Sequence, residues 1–183
     1  MSGESPKKSA LFVCLGNICR SPMAEIIFRG LVADMGLLDE WVIDSAGTSS
    51  YHIGDTPDDR SVETCALSLE STISPKAHAH FKSIPLHRAR QLVVEDFQRF
   101  DYIFGMDGEN LRNIKKLAEH AQRNNKSSSS CRSTIKRIGE YHHDPKFLNV
   151  EDPYYGDMNG FKVNYQQLLV SCKSFLAEVY KEK

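Results

Sequence analysis

The chain has 183 residues, 40% hydrophobic and 26% charged, with a formal net charge of −1. That composition suits a globular domain with a full core and supplies no global field to attract nucleic acid or a membrane surface. No apolar run approaches the ~18–20 residues of a membrane span, and five cysteines without metal-pair spacing fit free thiols in a reducing cytoplasm.

Residues 1–8 read as a disordered tail, and residues 9–183 as a single domain. Ala10–Val13 is fully apolar, as a buried parallel strand should be. The loop Cys14-Leu15-Gly16-Asn17-Ile18-Cys19-Arg20-Ser21 follows, and Pro22 opens a helical pattern that Gly36 can close. Trp41–Asp44 is the second strand. Thr56 reads as the cap of a helix that runs to about Leu69. Residues 70–83 are less regular, and their alternating His78 and His80 read as a solvated loop rather than a metal site. A strand near Ala89–Leu92 and a short helix at Glu95–Phe100 come next. The strand Tyr102–Met106 leads to Asp107, which caps a helix through Leu117. Residues 120–133 read as a flexible loop. His120 to Gly139 carries five basic residues and no acid, most simply a solvated surface, although an acidic partner would also fit. A strand at Ile135–Gly139 and a long helix at Asn159–Tyr180 complete the chain.

Alternating strands and helices predict an α/β fold with a parallel sheet, right-handed crossovers and helices on both faces. Ligands of such sheets bind beyond the C-terminal ends of the strands, where Cys14 falls. A strand, a tight turn and a helix N-terminus gather backbone N–H groups around an anion. Within that turn sit a thiol, Cys14, and, with five residues intervening, the guanidinium of Arg20. A helix N-terminus and a neighbouring arginine favour a thiolate. The planar fork of Arg20 can bind two phosphoryl oxygens at once. Gly16 is expected to supply the backbone freedom of the curl, and Ser21 a hydroxyl for the thiolate. Attack on a phosphate monoester expels an oxygen that needs a proton, and Asp152, in Asp152-Pro153-Tyr154-Tyr155-Gly156, is the candidate acid.

Val13 through Glu25 resembles the signature of low-molecular-weight protein-tyrosine phosphatases. The Asp-Pro-Tyr-Tyr segment near the C-terminus matches that family's acid loop, and Asp44-Ser45-Ala46, Ala89-Arg90-Gln91 and Phe100-Asp101-Tyr102-Ile103 extend the likeness. The resemblance implies strand order 2-1-3-4. It implies hydrolysis of phosphotyrosine and aryl phosphates through a cysteinyl-phosphate, with phosphotyrosine proteins as partners and no metal or cofactor. Cys14 is then nucleophile, Asp152 acid and later base, and residues Leu15, Gly16, Asn17, Ile18, Cys19, Arg20 and Ser21 the phosphate loop. Asn17, Ser21, Ser45 and His87 support that loop. Leu15, Tyr51 and Tyr154 wall the pocket for an aryl ring. His52 follows Tyr51 where the family varies. The chain is expected to act as a monomer.

Cys19 shares the curl with Cys14, so the two sulfurs can pair after peroxide oxidises Cys14. Tyr154 and Tyr155 read as pocket wall and packing, with phosphorylation by a kinase as the alternative. Arsenate reductases share the loop but need relay cysteines, and Cys65, Cys131 and Cys172 are widely scattered. Bacterial protein-arginine phosphatases are also similar, but carry Thr where this chain has Ile18.

Overall fold

The computed structural model describes residues 6–124 and 131–181. Four strands, β1 (Lys8–Cys14), β2 (Trp41–Gly47), β3 (Tyr102–Gly105) and β4 (Thr134–Arg137), form one sheet in the order β2-β1-β3-β4. All three pairings are parallel, and Cys14 lies opposite Gly47. The fold class and strand order are those expected. The helices are α1 (Arg20–Asp34), α2 (Asp59–Thr72), α3 (Pro75–Ser83), α4 (Asp96–Arg99), α5 (Gly108–Asn124) and α6 (Met158–Lys181).

β1 shows why the sheet is covered on both faces. Ala10, Phe12 and Cys14 point into a core built with α1, α2 and α6. Leu11 and Val13 point into a second core that holds Phe97, Ile103 and Ile114. A strand alternates its side chains, so an unbroken apolar run needs a core on each side. α1 is closed by Gly36 at φ 71°, a backbone that costs glycine nothing.

Several local expectations are corrected. Lys8 already belongs to β1, so the tail is shorter than eight residues, and its residues 1–5 lie outside the described residues. The irregular stretch at 70–83 is helical: α2 runs to Thr72, and α3 follows with Ser74 accepting from the Ala77 N–H at 3.1 Å and Pro75 in its first turn. Polar α3 turns only Ala77 fully inward, against α1 at Gly30, where a Cβ would lie 3.2 Å from that of Ala77. The cap of α2 is Asp58 rather than Thr56. Ala89–Leu92 is not a strand, because only Gln91 bridges to Gly47. α5 extends to Asn124, which removes the first part of the loop expected over 120–133, and residues 125–130 of that stretch lie outside the described residues. β4 ends at Arg137, and residues through Tyr141 form a 3₁₀ turn. No helix among the described residues is long and apolar enough to cross a membrane.

Candidate active site

The loop between β1 and α1 sits where strand order reverses: β2 lies on one side of β1 and β3 on the other. Neighbouring donors shape it by holding its carbonyls. Thr48 N–H donates to Cys14 O, and Ser49 N–H to Leu15 O, each at 2.9 Å. Asp58 N–H donates to Ile18 O at 2.7 Å, and the Ser61 hydroxyl to Cys19 O at 2.9 Å. In a planar trans peptide the N–H points opposite its C=O. The amides of Leu15, Gly16, Cys19 and Arg20 therefore face away from those anchors. Gly47 permits the close approach, since a Cβ there would lie 2.7 Å from Leu15 O.

The curl turns at Asn17, not at Gly16. Asn17 alone among described non-glycine residues has positive φ, at 60°. Its amide makes four hydrogen bonds: Nδ2 donates to Ser21 Oγ (2.8 Å) and Ser45 Oγ (3.0 Å), while Oδ1 accepts from Arg90 N–H (3.0 Å) and His87 Nε2 (2.7 Å). Asparagine tolerates this backbone when its side chain is so held. Gly16 has another reason to lack a side chain: a Cβ would meet His52 Cδ2 at 2.9 Å.

Cys14 Sγ lies 3.0 Å from Ser21 Oγ and accepts the Asn17 N–H at 3.3 Å. Arg20 is buried, its Nη1 donating to Asp107 Oδ2 at 2.6 Å and to Val150 O at 3.0 Å. Burial disfavours its charge, but Cys14, Asp107 and Asp152 outweigh that and raise its pKa above the ordinary guanidinium value. Asp152 Oδ2 stands 3.6 Å from Arg20 Nη2, and its Oδ1 accepts the Tyr154 N–H at 3.1 Å. Cys14, Arg20 and Asp152 line one pocket of about 250 Å³, with Leu15, Tyr51 and Tyr154 as walls. Gly16, Ile18, Cys19, His52 and Tyr155 complete its lining.

Sequence reasoning named these residues, with Asn17, Ser45 and His87 as supports, but missed Asp107 as a partner of Arg20 and the pair Asp58 and Arg60. Asp107 caps α5 through Oδ1, as expected, and with Oδ2 it also orients Arg20. Asp58 and Arg60 form a second bracket. Arg60 makes a two-pronged pair with Asp58, donates to Tyr154 O (3.0 Å) and Gly156 O (3.1 Å), and lies 4.6 Å from the Phe161 ring centre. Asp58 in turn touches the phosphate loop through Ile18 O, so one ion pair joins that loop to the segment carrying Asp152. The only advance signal was an acid at a helix start.

His87 is placed as expected. Beyond Asn17, its Nδ1 lies 3.5 Å from Glu25 Oε2 and 3.4 Å from Asp44 Oδ1. Glu25, Asp44 and His87 offer three possible metal-ligand atoms within 4.8 Å. Arg29 and Ser45 already occupy Glu25, Arg90 occupies Asp44, and Asn17 occupies His87. Those bonds fit a brace for the loop better than a cation site.

All five cysteines are free. Burial, with Asp58 and Cys14 adding to it, pushes the Cys19 thiol up to about 12. Burial also pushes the Cys65 and Cys172 thiols upward in the core.

Comparison with known proteins agrees with this geometry. A family model described as low molecular weight phosphotyrosine protein phosphatase matches residues 9–183. The low molecular weight phosphotyrosine protein phosphatase of Dictyostelium discoideum is 55% identical over 180 residues, covering 98% of each chain. A crystal structure of a protein tyrosine phosphatase from Entamoeba histolytica is 29% identical, with a TM-score of 0.74 over 96% of this chain and 99% of that one. A Drosophila arginine phosphatase is 34% identical, with a TM-score of 0.75 over 93% and 96%. On these matches and on its parallel sheet, the chain belongs to the low molecular weight phosphotyrosine protein phosphatase family.

Proposed function

We propose that this enzyme hydrolyses phosphotyrosine and aryl phosphate monoesters in two steps through Cys14. The Cys14 thiolate attacks phosphorus and the bond to the leaving oxygen breaks, with Asp152 giving that oxygen its proton. The resulting cysteinyl-phosphate is cleaved by water, whose proton Asp152 takes, and inorganic phosphate and the thiolate are released. Arg20 and the amides of residues 15–21 hold the phosphoryl oxygens, and Ser21 and the Asn17 N–H donate to sulfur. Asn17, Ser45 and His87 keep the loop curled.

One observation carries this reading. Cys14 and Arg20 from one loop, and Asp152 from a segment more than a hundred residues later, line the same pocket with aromatic walls. Leu15, Tyr51 and Tyr154 in that lining suit a flat ring. A short phosphoserine lacks the length to reach a buried Cys14 past them.

Phosphoarginine is the second reading, favoured by the likeness to the Drosophila arginine phosphatase. Ile18 in the pocket lining gives the guanidinium of such a substrate no polar partner and favours an aryl ring. Arsenate reduction gains no support, since Cys65 and Cys172 are sealed in the core.

One regulatory role belongs to the same reading. Cys14 oxidised by peroxide condenses with Cys19, which stores the enzyme as a reducible disulfide. A thiol enzyme of this kind works in a reducing compartment, the cytoplasm. Domain 9–183 acts alone on phosphotyrosine proteins.

The test is a panel of phosphotyrosine, phosphoserine and phosphoarginine peptides, assayed with wild type and Cys14→Ser. Wild type should turn over the phosphotyrosine members and Cys14→Ser none, while still binding phosphate. Turnover by Cys14→Ser near the wild-type rate, or preference for phosphoarginine, overturns the reading.

A further inference from the structure

Beside the catalytic pocket runs a second, larger depression of about 620 Å³. Leu15 and Tyr51 line both, so the two adjoin across a shared wall. Thr48 and Gln91 line the depression, tied together by Gln91 Nε2 donating to Thr48 O at 3.3 Å. Its far side is one stripe of α5: Glu109, Asn113, Lys116 and His120. Their spacing of four, three and four residues keeps them on one face.

The stripe has charge without partners. Glu109 and Lys116 are exposed and make no ion pair among the described residues. His120 Nε2 is engaged by Asn124 at 2.8 Å, which leaves Lys116 the free cation. The stripe also has a direction. Asp107, next to the start of α5, contacts Arg20, so Glu109 lies at the catalytic end and Lys116 farther along. Nine residues separate Asp107 from Lys116, about 13 Å of helix. An extended peptide covers that distance in about four residues.

We propose that this groove receives the chain flanking the phosphotyrosine of a protein substrate. Lys116 selects an acidic side chain three to four residues from the phosphotyrosine, and Glu109 disfavours an acid next to it. The proposal rests on the phosphotyrosine reading above and adds a sequence preference to it. Two features argue for this occupant: the groove shares the Leu15 and Tyr51 wall of the pocket that takes the phosphoryl group, and its exposed lysine, without an ion pair among the described residues, complements an acid at a fixed distance.

The test is a glutamate walk. Phosphotyrosine peptides of otherwise neutral sequence carry one Glu at each position up to five residues on either side, and kcat/KM is measured for wild type, Lys116→Glu and Glu109→Gln. Wild type should prefer Glu three to four residues away, on one side of the phosphotyrosine, by about two- to fivefold at low salt, and the preference should shrink with added salt. Lys116→Glu should invert the preference at that position. Glu109→Gln should relieve the penalty on an adjacent Glu. A flat walk, or a preference that Lys116→Glu leaves unchanged, overturns the proposal. Self-association that Lys116→Glu abolishes, together with a flat walk, assigns the groove to a second copy of the chain and also overturns it. Hydrolysis of free phosphotyrosine by wild type reports separately on the catalytic reading: no turnover there fails that reading, whereas turnover with a flat walk fails only the groove.

Discussion

His87 reaches Asn17 across seventy positions of sequence, its Nε2 donating to Oδ1 at 2.7 Å, and so ties the segment before α4 to the tip of the phosphate loop. Asn17 is 1% exposed, and all its amide capacity is spent on holding that tip. Two features are superimposed there, a left-handed backbone and a buried polar hub, and substitutions can separate them.

Asn17→Ala should lose both, destabilising the fold by about 2–5 kcal/mol. Asn17→Gly should recover about 1–2 kcal/mol of that by removing the backbone strain. Neither should restore phosphate affinity, because Ser21 and Ser45 lose their donor in both. Denaturant unfolding and phosphate inhibition constants check this. Equal stability of the two variants would show that the backbone angle carries no strain.

Asp152→Asn should slow hydrolysis by about 10²–10⁴-fold for alkyl-like leaving groups. The loss should shrink as the leaving group becomes more acidic, because such an oxygen departs without a proton. A series of aryl phosphates of graded leaving-group pKa gives the slope. A uniform loss across the series would remove Asp152 from the acid role.

Arg60→Ala should cut the tether on the acid loop while leaving Cys14 and Arg20 in place. The rate should fall by up to about 100-fold, as expected for a misplaced group, with phosphate inhibition nearly unchanged. Asp58 adds a pH signature. Arg60 holds its carboxyl below the ordinary value of 3.8 despite partial burial. A depressed carboxylate contributes stability above its unfolded pKa, and that contribution is lost as pH falls through the lowered value. Acid unfolding of Arg60→Ala should therefore begin at a higher pH than that of wild type.

In the proposed redox cycle, Cys19 would set the tempo of protection. Its thiol stands at about 12, so at neutral pH it is overwhelmingly protonated. Disulfide formation requires the thiolate to attack the sulfenic acid of Cys14. The closing rate after a peroxide pulse should climb about tenfold for each pH unit near neutrality. Wild type should recover most activity with dithiothreitol, and Cys19→Ser much less. Equal recovery would show that Cys19 only packs beneath the loop.

EDTA should leave activity intact, since thiolate, guanidinium and carboxyl supply nucleophile, charge stabilisation and proton. The Glu25, Asp44 and His87 group is filled with hydrogen bonds. A divalent requirement measured on dialysed enzyme would contradict the mechanism.

The parts legible in the sequence were those whose chemistry is local. Cys14 and Arg20 sit six positions apart in one turn, and Asp152 precedes a proline in a short segment. β1 was readable because both its faces are apolar. What stayed hidden depends on pairs distant in sequence. Nothing near Arg60 reports that the carbonyls of Tyr154 and Gly156 lie beside it, and nothing near Asp107 reports Arg20. α3 was misread for a different reason. Its cap, Ser74 followed by Pro75, was in plain view, but its apolar face is only Ala77 against Gly30 and the half-buried Phe81, one turn of spacing and too little for a periodic pattern. Ala89–Leu92 looks like a strand in a short segment between turns, yet its backbone bonds serve loops, with Ala89 N–H donating to Asp55 O at 2.8 Å.

β1 lies in the interior of the sheet and is paired on both edges, and it ends on the nucleophile. Asp152 instead follows no strand, and its side chain is 43% exposed. Amide exchange from the two halves of the site should therefore obey different regimes. The β1 amides exchange only through global opening, while those around Tyr154 and Tyr155 exchange through a local excursion that leaves the sheet intact. The phosphate cradle has the lifetime of the domain, and the acid arrives and departs on a shorter clock. In the proposed mechanism, a cysteinyl-phosphate would persist on a rigid floor while the roof opens, releases the dephosphorylated product and admits the water that completes the cycle.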